Sequence, residues 1–405
     1  MKKRVLIAGA SIAGNTAAWW LGHYGFDVLV VEKAPGFRDG GQNIDVRGPG
    51  REVLRRMGLE QAALASGTGE KGLTWVDTHG RAIATFIAEA GTDGPTAEME
   101  ILRGDLARLL FDDAREKAQF RFGDSIAAID DANGSPSVTF ASGRTEQFDI
   151  VIVAEGVGSP TRDKHFPGEN VPRYMDMTIA YFTIPKAPDD NNLWRLYNAP
   201  GRRTISLRPD MVGTTRASFF VLKPSDDEQS WSVDRQKVWL RTIFKDAGFE
   251  SSRILDGMDQ AKDFYFDVLR QVRMPRWSRG GVALTGDAAW CATPLAGLGT
   301  TLAVVGAYVL AGELSRGADA ASAFDAYERV MRPYVEKAQK ILKAIPRLVN
   351  PNSRLGISLL HAALRVVASP FVSKLLSKLV ASKSESFKLP DYRDPQVSRD
   401  GAKPG

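Results

Sequence analysis

Two glycines, a serine and a glutamate near the start of the chain have the types and spacing that could hold a dinucleotide. Gly9, Ser11 and Gly14 follow the first apolar run, and Glu32 ends the second. Gly9 allows a tight turn, and Gly14 allows a helix to pack closely on a strand. The free amides that begin a helix attract a pyrophosphate, while a carboxylate such as Glu32 accepts hydrogen bonds from ribose hydroxyls.

The elements that must position these residues form a strand–turn–helix–strand unit. Val5–Ala8 is predicted as a strand, a helix then runs to about Gly22, and Val28–Val31 is the second strand. This order, ending in an acid, is the dinucleotide-binding fingerprint. Ser11 stands where a glycine is usual, and its small hydroxyl side chain narrows the phosphate site without abolishing it.

Two other interpretations of this opening segment remain. Lys2, Lys3 and Arg4 before an apolar run are typical of a signal peptide. A βαβ unit can also be purely structural. The acid at the end of the second strand favours nucleotide binding over both.

Composition restricts the class of protein. The 405 residues include 43% hydrophobic and 25% charged residues, which fits a globular chain of two or three domains. The net charge is +5, but the basic residues are scattered along the sequence, so no nucleic-acid surface is expected. The single cysteine, Cys291, fits a reducing compartment, and we expect a cytoplasmic protein. The 4 histidines are far apart, so no metal site is predicted.

Residues 288–312 carry no charge and are long enough to span a bilayer. Pro294, Gly297 and Gly299 interrupt the first half, so only the residues after Thr301 are predicted as helix. We therefore expect a buried helix behind a glycine-rich loop and no stable membrane insertion.

Three further segments carry polar residues beside predicted strands or helices. "GGQNIDVRG" contains Asp45, "EILRGDL" places Arg103 at the start of a helix, and Gly286-Asp287 follows a buried strand. Asp287 precedes a glycine loop and a helix, which is an arrangement suited to a polar ligand. Taken singly, each segment also fits a capped helix or an ordinary loop.

Together these segments resemble the flavoprotein aromatic hydroxylases, the single-component FAD monooxygenases, over roughly residues 1–335. The segments "GGQNIDVRG", "EILRGDL" and "DFYFDVLRQVRMPRWSRGGVALTGDAA" are most similar to the tetracycline-inactivating branch. The resemblance implies an α/β fold. It consists of a Rossmann-like FAD-binding domain, an interleaved antiparallel-sheet substrate domain and C-terminal helices.

The resemblance also implies the cofactors and the residues that bind them. FAD is the bound cofactor, and NADPH or NADH is a transient reductant. The residues implied to bind FAD are Gly9, Ser11, Ile12, Ala13, Gly14, Glu32, Lys33, Arg38, Asp45, Arg103, Gly286, Asp287, Pro294, Gly297, Gly299 and Thr300. Pyrophosphate is expected at the first glycine turn, ribose at Glu32, and the flavin ring beside residues 294–301.

The implied activity is hydroxylation of a phenolic or polycyclic, tetracycline-like compound by O2 through a flavin hydroperoxide. The cofactor supplies this chemistry, and no side chain is assigned as catalytic. Glu155, Trp290, Leu298 and Thr301 depart from residues frequent in the family, which bears on the nicotinamide step. The alternatives are a flavin halogenase or reductase of the same fold, and a non-catalytic flavoprotein that sequesters a hydrophobic ligand.

The domains are predicted to be interleaved. Residues 1–71, 100–171 and 271–336 form the FAD-binding domain, 72–99 add a hairpin to the substrate sheet of 172–270, 337–390 are C-terminal helices, and 391–405 are a tail. Alternating aromatic strands in 172–270 predict an antiparallel sheet. Its candidate substrate contacts are Phe182, Arg195, Arg208, Arg216, Phe219 and Phe220. Core or surface packing is the alternative for each of them. We expect a monomer or homodimer with a small-molecule substrate.

Overall fold

The computed structural model describes residues 2–88, 97–132, 134–317, 319–341, 344–369 and 387–392. The helices are α1 Ile12–His23, α2 Gly48–Arg56, α3 Glu60–Ala65, α4 Arg103–Ala114, α5 Pro160–His165, α6 Val233–Phe244, α7 Ser251–Gln260, α8 Asp287–Trp290, α9 Gly299–Ser315, α10 Ala320–Gln339, α11 Ala344–Val349 and α12 Arg354–Val367.

Within the described residues, the strands form two large sheets and two small ones. They are β1 Arg4–Ala8, β2 Asp27–Glu32, β3 Asn43–Asp45, β4 Gly72–Val76, β5 Ala82–Ile87, β6 Glu100–Leu102, β7 Gln119–Phe122, β8 Ile126–Asp130, β9 Ser137–Phe140, β10 Thr145–Gln147, β11 Ile150–Val153, β12 Arg173–Pro185, β13 Trp194–Ala199, β14 Arg203–Pro209, β15 Thr214–Leu222, β16 Tyr265–Gln271, β17 Ser278–Arg279 and β18 Val282–Leu284.

The first large sheet has the strand order β17-β18-β11-β1-β2-β7. β1 pairs in parallel with β2 on one side and β11 on the other, and Val5, Leu6 and Ile7 are fully buried. Strands buried on both faces are apolar throughout, as "VLIA" and "IVIV" are. The segment that resembled a signal peptide is therefore a central strand of the fold.

The second large sheet has the order β16-β12-β15-β14-β13-β4-β5. The hairpin β4–β5 joins it because β4 pairs in parallel with β13. The prediction for residues 172–270 was incomplete, since α6 and α7 lie between β15 and β16. Their buried residues, which include Leu240, Phe244 and Leu255, pack on one face of the sheet.

α9 and α10 pack in the core of the first sheet. α9 packs beside α1, where the Trp20 and Tyr308 rings lie 4.8 Å apart. Within the predicted tail, Tyr392 is buried and its hydroxyl donates to Glu313 at 2.7 Å. This residue of the predicted tail therefore packs on α9, where Gly312 leaves room for its ring. Residues 370–386 of the predicted C-terminal helices lie outside the described residues.

The predicted fold class is confirmed as α/β with several sheets and covering helices. Within the described ranges, no helix combines the length and apolar character that crossing a membrane requires. The same ranges hold no group of His, Cys, Asp and Glu that could bind a metal ion.

Candidate cofactor and substrate site

In the turn between β1 and α1, backbone segments lie very close to each other. Gly9 has φ of 104°, a left-handed conformation that favours glycine. A β-carbon placed on Gly14 would lie 1.8 Å from the Gly9 carbonyl oxygen, so only glycine fits there. Ser11 precedes the first turn of α1, and its side chain accepts no hydrogen bond from that turn. The first amides of α1 therefore remain able to bind an anion.

Glu32 closes one side of this turn. Its carboxylate accepts hydrogen bonds from the backbone amides of Ala10 at 3.0 Å and Ala34 at 2.9 Å. These bonds fix the carboxylate at the end of β2 beside the glycine turn. A carboxylate has about four acceptor positions, so Glu32 can still accept from ribose hydroxyls.

Arg103 reaches the same turn from α4. Its Nη2 donates to Ser11 Oγ at 2.7 Å, and the arginine side chain is exposed. Gly41 allows this approach, because a β-carbon there would lie 2.8 Å from Arg103 Cβ. The guanidinium is thus held beside the predicted pyrophosphate position.

Asp287 begins α8 opposite Arg103. The preceding Gly286 has φ of 60°, and a β-carbon on it would lie 2.9 Å from Ala13 Cβ, which brings this turn against α1. The Asp287 side chain is exposed, yet the protein around it raises its pKa and Arg103 partly offsets that rise. The Asp287 carboxylate is thus open to solvent on one side and surrounded by protein on the others, so it lies at the bottom of a cleft.

The loop after α8 is joined to the segment that carries Asp45. Thr301 Oγ1 accepts from the Arg47 amide at 2.9 Å, and a β-carbon on Gly50 would lie 3.1 Å from Thr301. Asp45 Oδ2 accepts from Arg47 Nη2 at 2.7 Å, whereas its Oδ1 is buried without a partner in the described structure. Residues 294–301 therefore lie along the same cleft as Asp45.

The remaining residues predicted to bind FAD occupy two kinds of position. Ile12 and Ala13 are buried in the first turn of α1, and Lys33 and Arg38 are exposed after β2. In the described part of the chain, Lys33 and Arg38 form no ion pair. Their contribution to cofactor binding stays a prediction.

This donor set fits FAD. Open helix amides and Arg103 match the pyrophosphate, Glu32 matches the ribose, and Asp287 can accept from cofactor hydroxyls. The glycine contacts explain why the backbone leaves room for the cofactor at the first turn. No metal ligand is required for any of these interactions.

The two faces of the second large sheet differ in what they contact. Neighbouring side chains of a strand point to opposite faces. Phe182 and Phe219 are fully buried against Phe244 of α6, with the Phe219 and Phe244 rings 4.1 Å apart. They fill the core between sheet and helices, so the prediction that they contact substrate is not supported by their position.

Arg195 shares that helix-covered face. Its guanidinium donates to Asp190 and, at 2.8 Å, to Glu250 next to α7, and it lies over the Phe249 ring. Arg195 is 5% exposed. These carboxylates already satisfy its charge, so it acts in packing the sheet on α7.

Arg208 and Arg216 lie side by side on the opposite face, where β14 and β15 pair. Arg208 donates to Glu70 at 2.8 Å and 3.0 Å and to Glu100 at 3.1 Å. Arg216 donates to Asp210 at 3.1 Å and to Thr183 at 2.6 Å. Both arginines face the expected side, but carboxylates already compensate their charges.

The cluster of Glu70, Arg208 and Glu100 connects the domain of the first large sheet to the domain of the second. Burial raises the pKa of Glu100 to about 8, although Arg208 opposes the rise. Glu100 pairs with Asp45 across β3 and β6, so the cluster connects β14 to the segment that lines the cleft. This cluster was not anticipated, because its members are distant in sequence.

Residues that the sequence-based prediction missed lie on the same face as Arg208. They are Tyr181 and Tyr265, whose rings stack with centroids 6.4 Å apart. Phe220, a predicted substrate contact, lies on this face and meets Tyr181 edge-on at 6.2 Å. Tyr265 is 51% exposed, and the charges of Asp287 and Arg103 act on its pKa. Side chains alternate between the two faces along β12, so the pattern that pointed to Phe182 also places Tyr181 on the opposite face. This alternation was the signal that could have identified Tyr181.

Fold and cleft together define a Rossmann-type flavoprotein fold with a second, sheet-based domain. A family model described as "FAD binding domain" matches residues 2–341. The chain belongs to this family and is an FAD-dependent monooxygenase of the flavoprotein hydroxylase type.

Relatives match nearly the whole chain. "FAD-dependent monooxygenase asL4" from Sarocladium schorii is 32% identical and covers 96% of this chain and 98% of its own. "Monooxygenase CTB7" from Cercospora beticola is 35% identical over 96% and 97%. The crystal structure of tetracycline destructase Tet(55) has a TM-score of 0.82 at 31% identity, covering 96% of this chain and 99% of that one.

Proposed function

We propose that the protein uses NADPH or NADH and O2 to hydroxylate a phenolic or polycyclic small molecule, with tetracycline-like compounds as the substrate class. The observation that carries this proposal is the stacked pair Tyr181–Tyr265. It lies on the accessible face of the second sheet, close enough to Asp287 and Arg103 for their charges to act on Tyr265. An aromatic wall thus borders the end of the cleft where the flavin is expected.

FAD, when bound, would supply the hydride acceptor for the nicotinamide and the activation of dioxygen. The chain's own residues bind and orient it. The open amides of α1 and the Arg103 guanidinium balance the pyrophosphate charge, and Glu32 holds the ribose. Asp287 accepts from cofactor hydroxyls on the opposite wall.

The second sheet orients the substrate through rings and hydroxyls. Flat rings stack on tyrosine and phenylalanine with a gain of roughly 0.5–1.5 kcal/mol beyond area burial. Burial raises the pKa of Tyr181 to about 12. The protein around the partly exposed Tyr265 and the charges of Asp267 and Asp287 raise its pKa as well, so both phenols stay protonated at neutral pH. Each can therefore donate a hydrogen bond to a substrate oxygen.

Arg208 and Arg216 have a different place in this proposal from the one expected. Because Glu70 pairs with Arg208 and Asp210 pairs with Arg216, an ionised substrate enol gains little from pairing with either arginine. They hold the sheet face in position instead. In this proposal, tyrosine side chains recognise the oxygen-rich aromatic substrate, and charge pairing with arginine does not.

Similarity to tetracycline destructase Tet(55) supports the substrate class, since it extends over nearly all of both chains. Fold likeness alone does not assign a substrate, because substrate contacts vary on a common fold. The tyrosine wall is the independent support that this chain provides.

The test is turnover of the FAD-loaded protein with NADPH or NADH, air and a panel of tetracyclines and aromatic polyketides. The expected product of one panel member is heavier by one oxygen atom, and that atom derives from labelled dioxygen. Recovery of every tetracycline unchanged while another phenol is oxygenated would reject the tetracycline assignment. Oxidation of the reductant without any oxygenated product would reject the monooxygenase proposal.

A further inference from the structure

The helix α12 carries apolar side chains on its exposed side. Leu355, Leu359 and Val366 are 72%, 64% and 60% exposed. Their spacing, together with that of the exposed Ala362, places all four residues along one side of the helix. These four residues form a continuous apolar stripe, which we call the outer stripe of α12.

A second side of α12 is also apolar and already has a packing partner. The helix lies against β5 and β13 of the second large sheet, and Ile357, Leu360 and Leu364 are partly buried. A surface helix needs one apolar stripe to face the core, and its opposite side is normally polar. Packing of α12 on the sheet therefore does not account for the outer stripe.

The helix α11, which precedes α12, adds to the exposed apolar surface. Ile345, Leu348 and Val349 are all exposed. Of the 15 large hydrophobic side chains that are exposed in the described part of the chain, 7 lie within residues 345–367. Single exposed apolar residues are common on protein surfaces, whereas a concentration of them marks an interaction site.

The charge of this part of the chain has one sign. Basic residues are scattered along the whole sequence, but acidic residues are absent here: residues 337–384 contain 9 Lys and Arg and no Asp or Glu, whereas the whole chain has 48 Asp and Glu in 405 residues. Arg354 and Arg365 are exposed on the side of α12 next to the outer stripe, and among the described residues neither forms an ion pair. Arg347 of α11 is 3.7 Å from the exposed Asp176.

Exposed apolar side chains beside unpaired arginines fit a partner that is both apolar and negatively charged. The surface of an anionic bilayer has these two properties, since acyl chains lie directly beneath charged headgroups. A second copy of the chain fits less well, because a symmetric dimer through this face would bring Arg354 and Arg365 near the same charges of the partner. Residues 371–380 contain Lys374 and Lys378 and no acid, so their charge does not complement α12 either.

We propose that α11 and α12 bind the surface of an anionic membrane, with the outer stripe at the boundary of headgroups and acyl chains and with Arg354 and Arg365 among the headgroups. α12 has 14 residues, or about 21 Å, which is too short to cross a hydrocarbon core of roughly 30 Å. The helix therefore lies parallel to the membrane surface. The inference uses neither the cofactor nor the substrate, so it is independent of the proposed function.

The test is sedimentation of the FAD-loaded protein with vesicles of phosphatidylcholine and phosphatidylserine, and with vesicles of phosphatidylcholine alone. The wild-type protein should bind the mixed vesicles at least about tenfold more tightly, and added salt should weaken this binding. Leu359→Glu and Val366→Glu should each lower the partition coefficient about tenfold or more, because apolar burial is lost. Arg354→Gln and Arg365→Gln should each lower it about fivefold on the mixed vesicles alone.

Val238→Glu is the matched control for Val366→Glu. Val238 is exposed to a similar extent on α6, outside residues 345–367, so its replacement should leave vesicle binding unchanged. Thermal unfolding of all variants is measured in parallel. Because the replaced side chains are exposed, wild-type unfolding temperatures are expected, and a loss of vesicle binding then reports on the surface itself.

Four outcomes would overturn the inference. Wild-type protein that binds neither kind of vesicle, or both kinds equally, would show that the surface does not recognise an anionic membrane. Vesicle binding that Leu359→Glu and Val366→Glu leave unchanged would place the contact elsewhere. A dimer that Val366→Glu converts to a monomer, without vesicle binding, would make a second copy the partner. A lowered unfolding temperature of Leu359→Glu, again without vesicle binding, would mean that the chain itself covers the outer stripe.

Discussion

Arg103 and Ser11 are joined by a hydrogen bond of 2.7 Å between Nη2 and Oγ, although they lie 92 residues apart. The bond ties the start of α4 to the glycine turn of β1 and α1. Ser11, which departs from the usual glycine, thereby holds an arginine where a pyrophosphate is expected. The departure is compatible with cofactor binding and gives the serine a role.

Ser11→Val is expected to weaken FAD binding at least roughly tenfold, which corresponds to about 1.4 kcal/mol. The branched side chain removes the acceptor for Arg103 and crowds the first turn of α1. Flavin content after purification and the Kd of reconstitution measure the effect. Ser11→Gly is the matched control and should retain FAD. Equal affinity in the valine variant and wild type would place the pyrophosphate elsewhere.

Asp287→Ala should lower FAD affinity by about 1.5–3 kcal/mol, or roughly 10- to 150-fold, because cofactor hydroxyls lose a charged acceptor. The variant should purify partly without flavin and regain activity in excess FAD. Asp287→Asn, which keeps the size and one acceptor oxygen, should lose less. Normal FAD affinity combined with failed turnover would assign Asp287 to catalysis rather than to binding.

Tyr181 and Phe182 offer a test of which face of β12 borders the substrate. Phe182→Ala should destabilise the protein by about 3–5 kcal/mol, since it empties a fully buried site against α6 and α7. Tyr181→Phe should leave unfolding nearly unchanged and raise the KM of the substrate.

Thermal unfolding and steady-state kinetics on both variants separate the two roles. A Tyr181→Phe variant with wild-type KM and a Phe182→Ala variant with wild-type stability but raised KM would reverse the assignment. Because the two residues are adjacent in β12, a difference between the variants reflects the face of the strand and not the position along it.

Arg208→Met should lower the free energy of unfolding by about 3–5 kcal/mol, because Glu70 and Glu100 would lose their buried cation. Arg276→Met, which removes an exposed arginine from Glu169, should cost about 0–1 kcal/mol. Chemical denaturation of both variants gives the two values. Equal small losses would mean that the Arg208 cluster contributes little to joining the sheets.

Asp267 predicts a pH dependence of stability. Burial raises its pKa from 3.8 to about 6, and the charge of Arg270 opposes the rise. The folded protein binds the proton of Asp267 more tightly than the unfolded chain does. The contribution of this group to the free energy of unfolding is therefore full at low pH and is lost as pH rises from about 4 to 6. The loss is on the order of 3 kcal/mol, at 1.36 kcal/mol per pKa unit.

Asp267→Asn should remove this component, so the difference in unfolding free energy between variant and wild type should grow in favour of the variant over that range. Denaturation at several pH values between 4 and 7 measures it. A difference that stays constant with pH would show that the Asp267 carboxyl titrates as it does in the unfolded chain.

The sequence by itself determined a dinucleotide site and, through its resemblance to the flavoprotein hydroxylases, implied the FAD cofactor and the fold class. The spacing of Gly9, Gly14 and Glu32 is a local property, because the turn, the helix and the strand that position them are consecutive. Gly286-Asp287 is a second local signal of the same kind. Two helices were nevertheless missed: α6 has Gln236, Leu240 and Phe244 at helical spacing after the capping Ser232, a pattern that could have identified it.

Tertiary structure alone decided which side chains of the second sheet reach the cleft. In "MTIAYFTIP" both faces of the strand are apolar or aromatic, so alternation does not reveal which face α6 and α7 cover. Tyr181 therefore borders the cleft while Phe182 fills the core. The partners of Arg208 are equally non-local, since Glu70 and Glu100 meet it only when the sheets pack together. Sequence spacing fixes what lies within one turn or hairpin, whereas burial and charge compensation depend on which distant segments come into contact.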